Sequence, residues 1–388
     1  MVTAEQMPES PVVWNKRIGK SGLRFFVGMG LTIGFLNLFL YWNPLGLASR
    51  REFAGRNAFR GVEKTYQDLS RGNTPKSAMV FLRRDALHHP VLLLSSNSQD
   101  FAINSPKPGD DIVHQFMNRD FKHAGMNCRV FLLAMPNITP EEMYVQALEA
   151  AALPVRHTII ILGIGLQIMR HSGIRPSIRR LLARPSIRLL AEKSLSWRGD
   201  KEAAMQIRAD MKRLQNSRPR NDMRQHITVY LRRVVPVFNY GPSVRGLLLG
   251  WVWEFKNWVF RIHSYTKRSL VAQYYRQNLE FLDMAFKILR SHGYIVLAYI
   301  QPTNPKVNPW LPRDEMEFSR DLRVLCRKWN VVYRNYYRLV PASAWGVTTT
   351  AGFGVEPDFV HFKEPGHEKL AEKLAQDVIG IMRGAHAF

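Results

Sequence analysis

Cysteine is scarce in this sequence. The 388 residues include only two cysteines, Cys128 and Cys326, which stand far apart and form no C-x-x-C motif. This spacing excludes the common structural zinc sites, and we predict neither a metal nor a cofactor. We expect both cysteines to be buried free thiols, with a single disulfide as the alternative.

Acidic residues are also few. Lysine and arginine number 55 against 31 aspartates and glutamates, which gives a formal net charge of +24. This excess predicts a polyanionic partner, such as an anionic envelope polymer or an anionic lipid surface. The basic residues are dispersed among tryptophans and apolar turns without a recognised nucleic-acid-reading module, so we predict no nucleic-acid partner.

Long apolar runs are limited to one. The segment Leu23 to Trp42 carries no charge after Arg24, and about twenty residues is the length that a membrane-spanning helix requires. We therefore predict a single transmembrane anchor at 23–42. A cleaved signal peptide is the alternative, because Gly46 and Ala48 offer small residues before a cleavage point.

The anchor divides the chain into four parts. A basic amino-terminal tail at 1–22 precedes it, and an arginine-rich connector at 43–75 follows it. We predict one domain over 76–388, with a basic and mainly helical insertion at about 168–290. Within this insertion, one helical face includes Trp251 and Trp258 and suits either packing against a sheet or contact with a membrane.

Strands and helices alternate along the domain. Continuous apolar runs without polar alternation predict strands that are buried on both faces of a parallel sheet. Thr139, Pro140 and Glu142 form a capping box that predicts a helix after the second strand. The fold class is therefore α/β, a doubly wound parallel sheet that binds ligands at the carboxyl ends of its strands. The runs predicted as strands are "VLLLSS", "NCRVFLLAM", "HTIIILGIG", "GYIVLAYI" and "WNVVYRN".

Several catalytic motifs are missing. The sequence has no G-x-S-x-G elbow, no H-E-x-x-H motif and no complete phosphate-binding loop. What it has instead is the stretch "VLLLSSNSQDF", which places Ser98 in a small polar turn after the first predicted strand. Ser98 is our nucleophile candidate, and Ser95 and Ser96 are the alternatives in register.

A serine nucleophile needs a base and a carboxylate that orients the base. A D-x-x-H motif supplies both from one short turn. We favour Asp358/His361, because we expect this pair to lie in a loop just before a terminal helix, where Pro365 breaks the chain and Gly366 allows a tight turn. Four such pairs occur, namely Asp85/His88, Asp111/His114, Asp120/His123 and Asp358/His361.

These motifs resemble those of the SGNH (GDSL-like) hydrolase superfamily, whose sheet is flavodoxin-like. The layout is most similar to the D-alanine transfer protein DltD family, with one amino-terminal anchor, a helical insertion and about 260 residues between the serine and the Asp/His pair. The resemblance implies that Ser98 is the nucleophile, that His361 is the general base, and that Asp358 orients it.

The oxyanion-binding residues depart from the superfamily pattern. A glycine after the second strand and an asparagine after the third are usual. Here the second turn contains Asn137, and the third contains Gly165 and Gln167, so these three are the candidate donors. Each such donor is worth about 3–4 kcal/mol in transition-state stabilisation.

The resemblance implies a membrane-anchored acyl esterase or O-acyltransferase of the cytoplasmic membrane, with an extracytoplasmic catalytic domain. Its substrate would be a cell-envelope polymer or its acyl carrier, and its partner a membrane-bound O-acyltransferase. The alternative is an inactive scaffold of the same fold in a complex that modifies or exports an envelope polysaccharide.

Overall fold

The structure, a computed structural model, describes residues 91–152, 159–196, 202–216, 260–350 and 354–385. These residues all belong to one compact unit. The tail, anchor and connector predicted from the sequence lie outside the described residues, and so do Trp251 and Trp258. In the ranges that the structure describes, no helix has both the length and the apolar character to cross a membrane.

A parallel sheet of five strands forms the centre of the described fold. Its order along the sheet is β2-β1-β3-β4-β5, the order of flavodoxin-like doubly wound sheets. The predicted α/β class with a central parallel sheet is therefore confirmed. The strands are β1 (Val91–Ser95), β2 (Arg129–Leu132), β3 (Ile159–Ile164), β4 (Ile295–Ile300) and β5 (Val332–Asn335).

The apolar strands contribute side chains to two separate cores, because successive side chains point to opposite faces of the sheet. Leu93 of β1 and Ile160 of β3 belong to one core, whereas Leu92 and Ile161 belong to the other. All four side chains are almost completely buried. This explains why the strand sequences are apolar throughout and do not alternate.

Helices cover both faces of the sheet. On one face α2 packs against α6, and on the other α1 packs against α8. The capping box that was predicted from Thr139 and Glu142 is present at the start of α2. The helices are α1 (Val113–His123), α2 (Pro140–Ala151), α3 (Pro176–Arg179), α4 (Pro185–Ser196), α5 (Glu202–Asn216), α6 (Ala272–Ser291), α7 (Pro312–Lys328) and α8 (Glu364–Ala385).

A two-stranded antiparallel sheet precedes the last helix, and the sequence did not predict it. Its strands are β6 (Trp345–Thr350) and β7 (Gly354–Phe362). The prediction that Asp358 and His361 lie in a loop is therefore wrong, since both residues are on β7. Both strands contain β-branched and aromatic residues, which favour extended backbone.

Pro365 does not break the chain as predicted. It lies in the first turn of α8, together with Gly366. A proline is tolerated there because the first N–H groups of a helix have no partner within it. The helix can thus begin almost directly after β7 and fix the end of that strand.

Both cysteines are buried free thiols, as predicted. Burial raises the pKa of Cys128 to about 11 and that of Cys326 to about 12. Neither thiol is therefore a nucleophile at neutral pH, since the thiolate is the reactive form.

Candidate active site

Ser98 lies at the carboxyl end of β1. The strand ends at Ser95, and Ser98 begins a short 3-10 helix, Ser98–Asp100. The Asn97 side chain caps this helix by accepting a hydrogen bond from the Gln99 amide at 2.8 Å. Ser96, Asn97, Gln99 and Asp100 are buried, whereas Ser98 is partly exposed. The turn therefore presents one serine hydroxyl at the sheet edge where ligands bind in this class of fold.

A chain of hydrogen bonds links Ser98 to the carboxyl-terminal hairpin. The Ser98 Oγ lies 3.0 Å from His361 Nε2, although 263 positions separate the two residues in sequence. His361 Nδ1 in turn lies 3.1 Å from Asp358 Oδ2. The structure therefore brings together the three residues that the sequence analysis named for nucleophile, base and orienter.

Asp358 is held in place by four donors besides the His361 ring. Its Oδ1 accepts from the backbone amides of Val360 at 2.7 Å and His361 at 3.2 Å. Asn104 Nδ2 donates to its Oδ2 at 3.0 Å, and Asn304 Nδ2 donates to its backbone carbonyl at 2.8 Å. These bonds fix the carboxylate, and with it the His361 ring.

The charge state of Asp358 follows from two opposed effects. Burial acts to raise its pKa, but the hydrogen bond and charge of His361, together with the Val360 and His361 amides, outweigh burial. The pKa of Asp358 therefore lies below its ordinary value. The carboxylate is ionised at neutral pH and stabilises an imidazolium when one forms.

Gln99 ties the serine turn to the hairpin. Its Nε2 donates to the carbonyls of Pro302 and Val360, each at 2.9 Å. Behind it, Tyr299 donates to the buried carboxylate of Asp100 at 2.5 Å, and burial raises the pKa of Asp100 to about 6. These buried contacts position Ser98 from below without using its hydroxyl.

An amide cluster lies beside the serine turn. Gln301 and Asn97 exchange two hydrogen bonds through their side chains, at 2.8 Å and 3.1 Å. Gln167 Nε2 lies 3.5 Å from Gln301 Oε1. A Cβ on Gly165 would come within 2.5 Å of Gln167 and 2.7 Å of Gln301, so any larger residue here would displace these two side chains.

The three candidate oxyanion donors thus have different surroundings. Gly165 and Gln167 adjoin the amide cluster that holds Asn97. Asn137 is exposed, has a positive φ of 49°, and its carbonyl accepts a hydrogen bond from Arg175 at 3.2 Å. The contacts of the described residues connect the third-strand turn to the serine turn, but they do not connect Asn137 to it.

The other D-x-x-H pairs do not form a comparable chain. Asp111 pairs with Arg119 at 3.5 Å, while burial lowers the pKa of His114 to about 4. The Asp120/His123 pair lies in α1, and Asp85/His88 lies outside the described residues. Among the residues described, no group of three or more His, Cys, Asp and Glu side chains is arranged to hold a metal ion.

Sequence reasoning missed the residues that support the triad. Asn104, Gln301 and Asn304 contact Asp358 or Asn97 across sequence separations of 254, 204 and 54 positions. No short motif contains them. The only sequence signal is a polar residue directly after a buried strand, which Gln301 shows at the end of β4.

Comparisons with known proteins found no matching family model and no matching curated protein. Among solved structures, a candidate acylhydrolase from Bacteroides fragilis is 9% identical with a TM-score of 0.34, over 77% of this chain and 94% of its own. A candidate arylesterase from Agrobacterium tumefaciens is 13% identical with a TM-score of 0.31, over 75% and 99%. At these values neither likeness assigns a family or an activity to this chain.

The class of this protein therefore follows from its fold and its site geometry alone. It is an α/β protein with a doubly wound parallel sheet, and the carboxyl edge of that sheet carries a Ser–His–Asp chain of hydrogen bonds.

Proposed function

We propose that this protein is an acyl esterase or O-acyltransferase of the SGNH type that uses Ser98 as a covalent nucleophile. The observation that carries the proposal is the chain of hydrogen bonds from Ser98 Oγ to His361 Nε2 and from His361 Nδ1 to Asp358 Oδ2. Both distances fit the geometry that a base and its orienter need.

The proton path follows from this geometry. With Asp358 ionised, His361 is held with its proton on Nδ1, which leaves Nε2 free to accept the Ser98 proton. Ser98 Oγ then attacks the acyl carbonyl to give a tetrahedral intermediate. The imidazolium gives the proton to the leaving alcohol as its bond to the acyl carbon breaks, and an acyl-serine remains. Water or a second hydroxyl group then attacks the acyl carbon while His361 takes its proton. The bond from Ser98 Oγ to the acyl carbon breaks, His361 returns the proton to Ser98, and the acid or new ester is released.

Backbone amides are the proposed oxyanion donors. Ser98 is the first residue of its 3-10 helix, so its N–H has no acceptor inside that helix. Gly165 precedes a second 3-10 helix, Leu166–Arg170, at the end of β3. We assign the N–H groups of Ser98 and Gly165 to the oxyanion, with the Gln167 amide as a further donor.

We place the substrate among anionic envelope polymers or their acyl carriers. The net charge of +24 supports this choice, because a positive field attracts a polyanion and raises its local concentration. An anchor at 23–42 in the cytoplasmic membrane, an extracytoplasmic domain and a membrane-bound O-acyltransferase partner belong to the same proposal.

The test is labelling of the full-length protein with a fluorophosphonate, together with hydrolysis of an aryl acetate. We expect Ser98→Ala to abolish labelling and to reduce hydrolysis about 10⁴-fold, because the nucleophile and its base act as a unit. His361→Gln should have a similar effect. Ser96→Ala tests the alternative register, since Ser96 lies two residues away and is buried, and this variant should still be labelled.

Two results would contradict the proposal. Labelling that persists in Ser98→Ala would move the nucleophile elsewhere. A folded wild-type protein that neither reacts with the probe nor hydrolyses the ester would instead support the inactive scaffold.

A further inference from the structure

Two arginines on elements that adjoin the proposed site have no acidic partner among the described residues. Arg170 ends the 3-10 helix that carries Gln167, and Arg268 lies on the segment that leads into α6. Neither pairs with a carboxylate in the part of the chain that the structure describes. Other arginines do have acidic partners, such as Arg175 with Glu142 at 2.6 Å.

Aromatic side chains hold the two arginines in place. The Arg268 guanidinium lies 4.6 Å from the ring centre of Phe359, the residue between Asp358 and Val360 on β7. The Arg170 guanidinium lies 5.9 Å from the ring centre of the buried Trp310. Aromatic faces attract cations but do not neutralise them, so both positive charges remain available.

Backbone contacts fix the segment of Arg268 as well. Its amide donates to the Pro309 carbonyl at 2.7 Å, and the residue forms a β-bridge with Trp310. The two arginines therefore share Trp310 as a neighbour, one through its ring and the other through its backbone. This arrangement limits their movement away from each other.

The pair is electrostatically unsatisfied. Arg170 Nε is buried and has no hydrogen-bond partner. Burial, and then the charge of Arg170, lowers the pKa of Arg268. Burial and both arginines also lower the pKa of the adjacent His171. Cations that repel one another in a partly buried place are stabilised when an anion binds between them.

The position of the pair relates it to the reacting atoms. Arg170 follows Gln167, whose amide reaches the cluster that holds Asn97, the residue before Ser98. Arg268 contacts the strand that carries Asp358 and His361. Arg170 therefore belongs to the turn after β3, and Arg268 contacts β7, the strand that carries the proposed base.

We propose that Arg170 and Arg268 form a subsite for an oxyanion group, a carboxylate or a phosphate, on the molecule that bears or receives the acyl group. Guanidinium groups suit this role because their planar N–H groups match carboxylate and phosphate oxygens. Only the identity of that molecule rests on the proposed function, since the subsite itself is a property of the arginines.

A matched pair of esters tests the subsite in the full-length protein. The anionic 4-acetoxybenzoate and its neutral methyl ester differ in one charge. We expect wild-type protein to prefer the anion in kcat/KM, and Arg268→Gln or Arg170→Gln to lower that preference about tenfold. Arg268→Lys should retain part of it. Arg276→Gln is the control, because it removes an exposed cation of α6 from the same protein.

A binding measurement separates this proposal from the proposed function. Calorimetry on Ser98→Ala with glucuronate and with glycerol phosphate compares a carboxylate with a phosphate, and glucose and glycerol are the neutral controls. Binding of either anion that Arg268→Gln weakens supports the subsite, even where no ester is hydrolysed.

The opposite results would overturn it. If neither anion binds Ser98→Ala, no anion subsite exists, whether or not wild-type protein is an esterase. If both glutamine variants keep the wild-type preference between the esters and merely melt at lower temperature, the arginines only support the fold.

Discussion

Asn104 is the residue whose side chain links the proposed catalytic carboxylate to the rest of the hairpin. Its Nδ2 donates both to Asp358 and to the Val347 carbonyl, at 3.0 Å and 2.8 Å, and its Oδ1 accepts from the Val347 amide at 3.2 Å. One amide group therefore positions Asp358 and joins β6 to the loop after the serine turn. Its contribution to activity acts through Asp358, because the described contacts do not join it to Ser98.

We predict that Asn104→Ala lowers kcat/KM for an aryl acetate about tenfold. A hydrogen bond to a charged group is worth about 1.5–3 kcal/mol, and the carboxylate loses one. Asn118→Ala is the control, because Asn118 also accepts a hydrogen bond from a backbone amide, that of Val130 at 2.9 Å, but this contact joins α1 to β2. An equal loss of activity in both variants would show a general effect on folding and contradict a positioning role.

At this scale the sequence revealed only those site residues that stand in local patterns. Asp358 and His361 are three positions apart, and Ser98 follows a run of apolar residues, so a motif contains each of them. Asn104 and Gln301 acquire their roles through contacts across more than 200 positions. Asparagine and glutamine occur throughout protein surfaces, so composition gives no signal for such contacts.

The turn after β3 shows how a single element shapes the site. Gly165 lies where the strand meets its 3-10 helix, directly against the side chains of Gln167 and Gln301. Both neighbours are the ends of flexible side chains, so they can move away from an added methyl group. Such a movement would break hydrogen bonds of the amide cluster and displace the Asn97 side chain, which caps the serine turn.

We therefore predict that Gly165→Ala reduces activity far more than stability. Displacement of the two glutamines should lower kcat/KM by at least about tenfold, because a misplacement of reacting groups by about 1 Å can lower the rate about 100-fold. The melting temperature should fall by only a few degrees. Gly380→Ala on α8, where a Cβ would meet no neighbour within 4 Å, should leave kcat/KM unchanged and should raise the melting temperature slightly, because alanine favours the helix interior. Activity retained in Gly165→Ala would argue against a tight third-strand turn.

Helices and strands were predictable where burial requires a long run of apolar residues in the sequence. The apolar runs gave all five parallel strands to within three residues at each end, and the Thr139 capping box gave the start of α2. The hairpin β6–β7 was missed because its two strands form a sheet only with each other, so they are not buried on both faces, and because β7 includes Pro357. A proline inside a run argues against a central strand, although it is tolerated in a two-stranded ribbon.

Two histidines of the described fold, His114 and His367, are held in the neutral form. Burial lowers the pKa of His114 to about 4 and that of His367 to about 3, from 6.5. His367 is completely buried in α8 beside Phe362, 3.4 Å from the Ala102 carbonyl. Between these pKa values and 6.5 the unfolded chain binds protons that the folded chain does not bind.

We predict that each of these histidines makes the fold less stable as the pH falls below about 6.5. The contribution of His114 is fully present above its unfolded pKa and is lost toward pH 4, with a slope of about 1.4 kcal/mol per pH unit. Urea unfolding of wild type and His114→Gln between pH 5 and 7 measures it. The variant should show a shallower dependence by about one proton, and identical slopes would contradict the prediction. His292→Gln, which changes an exposed histidine after α6, is the control.

The separation of 263 positions between Ser98 and His361 has a consequence for synthesis of the protein. At about 5–20 residues per second, a ribosome completes the serine turn roughly 13–50 s before it reaches the histidine. During that interval the serine has neither its base nor the hairpin against which its turn is braced. A chain that is interrupted or cleaved before β7 therefore lacks the histidine and aspartate of the site, so the proposed acyl chemistry requires that the last elements have been made.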